Sequence, residues 1–81
     1  MLNNTQQKIL DYILNIINTN NMPVIVPYYF IADEFNISNM TVKRNMDWLV
    51  NNKYIYREFI GNNSIYNNKP IDLNKDFKCY I

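Results

Sequence analysis

The segment from Ser38 to Lys53 repeats its apolar residues with the period of an α-helix. Ser38 is a good N-cap, because its hydroxyl can accept a hydrogen bond from a free backbone N–H group of the first turn. One face of the predicted helix collects Val42, Met46, Leu49, Val50 and Lys53. The opposite face collects Thr41, Arg44, Trp48 and Asn51, with Lys43 and Asp47 at its margin. A helix that buries one side and shows basic, amide and aromatic groups on the other is suited to contact a partner.

The residues before this segment predict two further helices and a short strand. Asn4, with Gln7 three positions later, is typical of a capping box at the start of a helix over residues 5–18. The β-branched residues between Pro23 and Pro27 favour a short strand. Pro27 then suits the first turn of a second helix, which we expect to run to about Phe35. Of Tyr28 and Tyr29, we expect one to pack in the core, while the other can contact phosphate through its hydroxyl.

The residues after the segment predict a β-hairpin and a short apolar tail. Residues 54–60 and 64–67 read as strands, joined by a turn over Gly61-Asn62-Asn63. The predicted order is therefore α-β-α-α-β-β plus a short C-terminal segment, an α+β fold. In that segment, four apolar residues have the spacing of one face of a helical turn or two: Leu73, Phe77, Tyr80 and Ile81. This face either covers the first helix or joins a second copy of the chain.

The junction before Ser38 resembles a helix-turn-helix core. Residues 31–38, Ile-Ala-Asp-Glu-Phe-Asn-Ile-Ser, carry an Asn36 suited to left-handed backbone and an Ile37 suited to plug the turn. With the next helix attached, the match spans about residues 27–55. With the hairpin following directly, the chain resembles winged helix-turn-helix DNA-binding proteins. In size and architecture it also resembles the small centromere-binding adaptors of tubulin-like plasmid and phage segregation systems. The resemblance implies a recognition helix starting at Ser38 and a wing formed by the hairpin.

Composition fits a single domain over residues 1–81 and argues against several functions. With no His and with Cys79 as the lone cysteine, a typical zinc site is not expected. A single glycine cannot build a phosphate-binding loop, and no nucleophile lies beside a plausible base, so we expect no enzyme and no cofactor. No signal peptide or membrane-spanning run is present, which predicts a cytoplasmic protein with no membrane partner.

Charge is unevenly distributed along the chain. Residues 37–70 carry five basic and two acidic side chains, whereas residues 1–36 carry one basic and three acidic ones. This is the pattern that a phosphate-binding face would leave, although a solvated surface can produce it too. For Lys43 and Arg44 the alternative to a DNA contact is an ordinary solvated face with Asp47 as partner.

The candidate DNA-contacting residues fall into two groups. The first lies at the start of the predicted recognition helix: Ser38, Asn39, Met40, Thr41, Lys43 and Arg44. The second is the wing tip with two flanking basic residues: Asn62, Asn63, Ser64, Arg57 and Lys69. Trp48 can stack under Arg44, pack beneath the wing or join a dimer surface.

The sequence thus predicts sequence-specific binding of double-stranded DNA by a homodimer. Two roles remain open, that of a transcriptional repressor and that of a centromere-binding segregation adaptor that recruits a filament-forming partner protein. The alternative is a winged-helix protein–protein interaction module without DNA binding, which the low net charge of +1 favours.

Overall fold

The computed structural model describes residues 2–79, and that part of the chain forms three helices and one four-stranded sheet. The predicted α+β class is confirmed. The predicted helix, strand, two helices and two strands occur in that order, and a further strand follows them. The elements are α1 (Asn4–Asn20), β1 (Val24–Ile25), α2 (Tyr28–Phe35), α3 (Asn39–Asn51), β2 (Tyr56–Ile60), β3 (Asn63–Asn67) and β4 (Lys78–Cys79).

The first helix has its capping box one residue earlier than predicted. Asn3 is the N-cap of α1: its side chain accepts a hydrogen bond from the backbone N–H of Gln6 at 2.8 Å. The Gln6 side chain in turn accepts from the Asn3 backbone N–H at 2.9 Å. The predicted box of Asn4 and Gln7 is therefore wrong by one position. The helix ends at Asn21, whose left-handed backbone (φ 52°) stops it.

The turn between α2 and α3 follows the prediction closely. Asn36 has left-handed backbone (φ 53°), and the backbone N–H of Ile37 donates to the carbonyl of Ala32 at 3.0 Å. Ile37 is half-buried against the core rather than fully buried. Ser38 then caps α3 as expected, since its Oγ accepts from the backbone N–H of Thr41 at 3.0 Å.

One stripe of α3 anchors the helix in the interior. Val42, Met46 and Leu49 are fully buried, as predicted. Val50 is only half-buried. Lys53 does not belong to this face: it is exposed, lies beyond the end of α3 and has left-handed backbone (φ 66°). The reversal that this backbone introduces turns the chain out of the helix and toward β2.

The four strands lie in the order β2-β3-β1-β4. β2 and β3 form the predicted antiparallel hairpin, although β2 begins at Tyr56 rather than residue 54 and Asn63 belongs to β3 rather than to the turn. The connection is thus two residues long, with only Gly61 at positive φ (60°), as in a type II′ turn. β1 pairs antiparallel with β3 and parallel with β4.

The sheet and the helices enclose one main core. Val24 and Tyr66 are paired across β1 and β3 and share the sheet face that packs on the helices. The largest contribution from the helices is a stripe of α1 made of Ile9, Leu10, Ile13, Ile16 and Ile17. No helix within residues 2–79 has both the length and the apolar character needed to cross a membrane.

The C-terminal segment does not form the predicted helical turns. Residues 68–77 are irregular, and Leu73 and Phe77 are exposed. β4 instead adds to the free edge of β1, where the Lys78 backbone N–H donates to the Pro23 carbonyl at 2.9 Å. The helical spacing was misleading because this segment gains its backbone partner from residues far away in the chain. The predicted roles of Tyr80 and Ile81 lie outside the described residues.

Candidate nucleic-acid interface

The N-terminal half of α3 displays most of its predicted contact residues to solvent. Asn39, Met40, Lys43 and Arg44 are exposed, while the buried stripe on the other side of the helix holds them in place. Thr41 is half-buried, and its hydroxyl lies 2.9 Å from that of Ser38. These side chains therefore form one outward surface, with Ser38 at its start.

Arg44 and Lys43 differ in their surroundings. Within residues 2–79 the guanidinium of Arg44 has no ion-pair or hydrogen-bond partner, so its charge is available to a ligand. The Lys43 amine lies 2.9 Å from Oδ2 of Asp47, one turn later on α3. The alternative of a helical ion pair is therefore observed for Lys43 and not for Arg44.

Asp47 also binds the hairpin. Nη1 of Arg57, on β2, donates to Oδ1 of Asp47 at 2.7 Å. The hydrogen bond from Lys43 lowers the pKa of the Asp47 carboxyl, and the bond from Arg57 lowers it further. The pKa of the Lys43 amine is raised, first by its bond to Asp47 and in smaller part by nearby Tyr28. Asp47 thus joins a cation of α3 to a cation of the hairpin.

Phe59 is a surface residue that the sequence analysis missed. It lies two positions after Arg57 on β2 and therefore on the same face of the hairpin. Its side chain is 59% exposed, and the Arg57 guanidinium lies 5.2 Å from its ring centroid. The alternation of side chains along a strand could have indicated this pair, because Arg57 and Phe59 are two residues apart in the strand that precedes the predicted turn.

The hairpin tip lies near the start of α2. Asn62 and Asn63 are exposed and Ser64 is half-buried. Together with Tyr28 they line a small open cavity of about 170 Å³. Tyr28 begins α2, and α2 packs against α3, so the hairpin tip and α3 both border α2.

Neither of the two predicted basic neighbours of the tip is placed beside it. The Arg57 side chain is only 14% exposed, and its guanidinium points to Asp47 on α3. Lys69 follows the end of β3 that is opposite to the tip, where it lines a cleft of about 650 Å³ with Asn18 of α1 and Pro23. The grouping of Lys69 with the tip is therefore wrong, because β3 runs its full length between them.

Three aromatic residues on which the sequence analysis left alternatives are now placed. Trp48 is half-buried and stacks on Tyr54, with ring centroids 5.7 Å apart and planes at 16°, rather than under Arg44. Tyr28 packs partly against the core. Tyr29 is exposed and stacks on Phe30.

Beneath the hairpin, Tyr66 brings a hydroxyl into the interior. No atom within residues 2–79 has hydrogen-bond geometry to this oxygen, although the hydroxyls of Tyr28 and Ser64 and the guanidinium of Arg57 lie close to it. Burial raises the pKa of the Tyr66 phenol, and the neighbouring Tyr28 raises it further. The residue therefore stays neutral and serves as packing between β3 and the helices.

Metal-binding side chains are not gathered anywhere in the described part of the chain, where no group of three or more His, Cys, Asp or Glu residues could hold an ion. No protein-family model, curated protein or solved structure matches the chain. The candidate interface is the surface of α3 together with the hairpin that Asp47 binds through Arg57.

Proposed function

We propose that this chain is a winged helix-turn-helix protein that binds specific sites in double-stranded DNA. One observation carries the proposal: the N-terminal half of α3 presents exposed polar and basic side chains, and further along the same helix Asp47 binds Arg57 of the hairpin. An α-helix with its side chains fits the major groove, and a projecting hairpin beside it can reach the neighbouring backbone or minor groove. Three residues, beginning with Asn36, connect α2 to α3, and this short turn would fix the angle at which α3 enters that groove.

The side chains at the start of α3 suit base recognition. Arg44 has a free guanidinium, which can pair with guanine through two hydrogen bonds. The exposed amide of Asn39 can do the same with adenine. Met40 is exposed and apolar and can contact a thymine methyl group. The Thr41 hydroxyl is engaged by Ser38, so a methyl contact is its proposed role as well.

Other residues suit contacts to the DNA backbone. Lys43 can neutralise a phosphate when it exchanges Asp47 for the nucleic acid. Ser38 lies at the N-terminus of α3, where backbone N–H groups favour an anion. Asn62, Asn63 and Ser64 at the hairpin tip can enter the minor groove, where amides distinguish A·T from G·C pairs.

We further propose a symmetric homodimer, because a single small DNA-binding domain has limited specificity, whereas a dimer recognises two half-sites one helical turn apart. Sedimentation of the protein alone and with duplex tests this stoichiometry. Such a dimer could repress transcription by occupying a promoter, or coat a centromere and recruit a filament-forming partner. Genomic footprinting separates the two: one upstream site supports a repressor, and a tandem array beside a filament gene supports a segregation adaptor.

The first test of the proposed function is duplex binding as a function of salt. DNA sites selected from a random pool should bind with an affinity that falls steeply between about 50 and 200 mM salt. The double variant Lys43→Ala/Arg44→Ala should lose most of this affinity. The matched control Lys8→Ala/Lys75→Ala removes the same charge from exposed positions outside the proposed interface and should change binding far less. Equal losses in the two double variants would show that α3 is not the reader.

The exposed aromatic residues Tyr29, Tyr54, Tyr56 and Phe59 favour a second candidate function, that of a protein–protein interaction module. Aromatic side chains are enriched in such interfaces. The same salt titration separates the two functions, since a module of this kind would show no salt-dependent binding of duplex.

A further inference from the structure

Asp47 occupies an unusual position for an acidic residue in a surface proposed to meet DNA. It is one turn from Lys43 on α3, and its two carboxylate oxygens are each bound to a different cation. Oδ2 accepts from Lys43 at 2.9 Å and Oδ1 accepts from Arg57 at 2.7 Å. A carboxylate beside the DNA backbone repels phosphate, so its presence here calls for a physical role other than phosphate contact.

The two cations differ in how firmly they are held. Arg57 is 14% exposed and is also stacked on Phe59, so its guanidinium is confined between the hairpin and α3. Lys43 is 55% exposed, and an exposed pair of this kind is weak and exchanges readily. The Arg57 contact therefore fixes the hairpin against the helix, while the Lys43 contact can open when a phosphate competes for the amine.

We infer that Asp47 is a specificity-determining positioning residue of the proposed DNA interface. Through Arg57 it sets the angle between the hairpin and α3, so that both elements fit one DNA site together. By pairing with Lys43 it also reduces the attraction of this amine for the phosphates of non-specific DNA. The inference rests on the proposed function and adds to it the means by which specific and non-specific duplexes are distinguished.

The expected gain in affinity when Lys43 is released from Asp47 follows from counterion release. Each additional phosphate contact steepens the logarithmic salt dependence by about 0.9, which at 0.1 M salt corresponds to roughly eightfold in affinity. In the proposed specific complex Lys43 already exchanges Asp47 for a phosphate, so freeing Lys43 adds this contact mainly to non-specific duplexes. Loosening the hairpin weakens only the complex in which the hairpin is correctly seated. Without the Asp47 carboxylate, the ratio of specific to non-specific affinity should therefore fall.

The test compares Asp47→Asn with Glu58→Gln. Both variants remove one negative charge, but Glu58 is exposed on the other face of β2 and has no ion-pair partner within residues 2–79. Affinities are measured for a selected duplex and for a scrambled duplex between about 50 and 200 mM salt. In Asp47→Asn we expect non-specific affinity to rise by up to about fivefold more than in Glu58→Gln, the limit set by a weak exposed ion pair, with a steeper salt slope. The specificity ratio should fall in Asp47→Asn alone.

A second readout does not depend on DNA. The side-chain N–H signals of Arg57 in NMR should show slow exchange with solvent in the wild type and in Glu58→Gln, and fast exchange in Asp47→Asn. If Asp47→Asn folds poorly, the same measurements are made on Asp47→Glu. This variant keeps the charge on a longer side chain and should retain the low non-specific affinity.

The outcomes separate this inference from the proposed function. If the wild type shows no salt-dependent duplex binding, the proposed function is wrong and the inference falls with it. If the wild type binds specifically but Asp47→Asn and Glu58→Gln have equal specificity ratios, only the inference is overturned. Unchanged Arg57 exchange in Asp47→Asn would likewise overturn the positioning role.

Discussion

Tyr66 is the largest side chain that the fold buries completely. Its hydroxyl is the one buried side-chain polar atom without a hydrogen-bond partner in the part of the chain from residue 2 to residue 79. Such an atom loses its water without replacement, which costs free energy that a phenyl ring would not incur. The ring itself packs between β3 and the helices, so the cost belongs to the oxygen alone.

Replacing this tyrosine should accordingly stabilise the protein. Tyr66→Phe keeps the ring and removes the orphaned oxygen, so we expect the free energy of unfolding in urea to rise by about 1 kcal/mol. Tyr56→Phe, at an exposed position, is the control and should leave stability almost unchanged. A loss of stability in Tyr66→Phe would instead show that Tyr28, Ser64 or Arg57 bonds the hydroxyl in solution.

Single residues with a local backbone preference were the most predictable part of the chain. Asn36 and Ser38 were assigned correctly because a left-handed turn residue and an N-cap act within a few residues of themselves. The capping box of α1 was misplaced for a reason visible in the sequence: tandem pairs, Asn3-Asn4 and Gln6-Gln7, offer two boxes in adjacent registers. Local chemistry cannot choose between them; in the fold, the Gln6 side chain is buried whereas Gln7 is exposed.

The hairpin depends on one backbone conformation at its tip. Gly61 has a φ of 60°, and a Cβ built there would meet no atom within 4 Å. Any cost of a side chain at this position therefore comes from the backbone and not from crowding.

A pair of substitutions at the tip tests this account. Gly61→Ala should lower the free energy of unfolding by about 1 kcal/mol, because alanine resists positive φ. Gly61→Asn should cost less, because asparagine tolerates this region. Thermal or urea unfolding of the two variants gives the comparison, and equal losses would show that the turn relaxes to another conformation.

Elements made by local patterns were predictable, while those made by distant partners were not. The three helices and the hairpin follow from periodicity, caps and the Gly61 turn. β4 does not, because within residues 2–79 it pairs only with β1, which lies more than fifty residues earlier. Asp47 and Arg57 illustrate the same limit at the candidate site: they are ten residues apart and meet only once α3 and the hairpin have both formed.

The ion pair between α3 and the hairpin also links the stability of the whole molecule to pH. The pKa of Asp47 is lowered in the folded state, chiefly by its hydrogen bond from Lys43. A carboxyl with a depressed pKa stabilises the fold above its unfolded-state pKa, about 3.9 for aspartate. That stabilisation is lost as the pH falls through the folded-state pKa.

Acid titration of stability should reveal this contribution. At pH 7 the wild type should be more stable than Asp47→Asn, and the difference should shrink as the pH falls below the unfolded-state pKa of about 3.9. Urea unfolding at several pH values measures it. Because Asp47 is one-third exposed, 1 M salt should reduce the difference at pH 7. A difference that is constant with pH would mean that the carboxylate does not stabilise the fold.

The sheet is joined through a very short strand, since β1 comprises only Val24 and Ile25 between two prolines. The C-terminal segment is attached to this short strand, and the hairpin is attached to its other side. Fraying of β4 would therefore break few backbone bonds and leave the antiparallel pairing of β2 with β3 untouched. Among the described residues, β4 and the hairpin lie on opposite sides of β1 and do not pair with each other. We therefore expect that a protein or tag fused after β4 leaves the hairpin undisturbed.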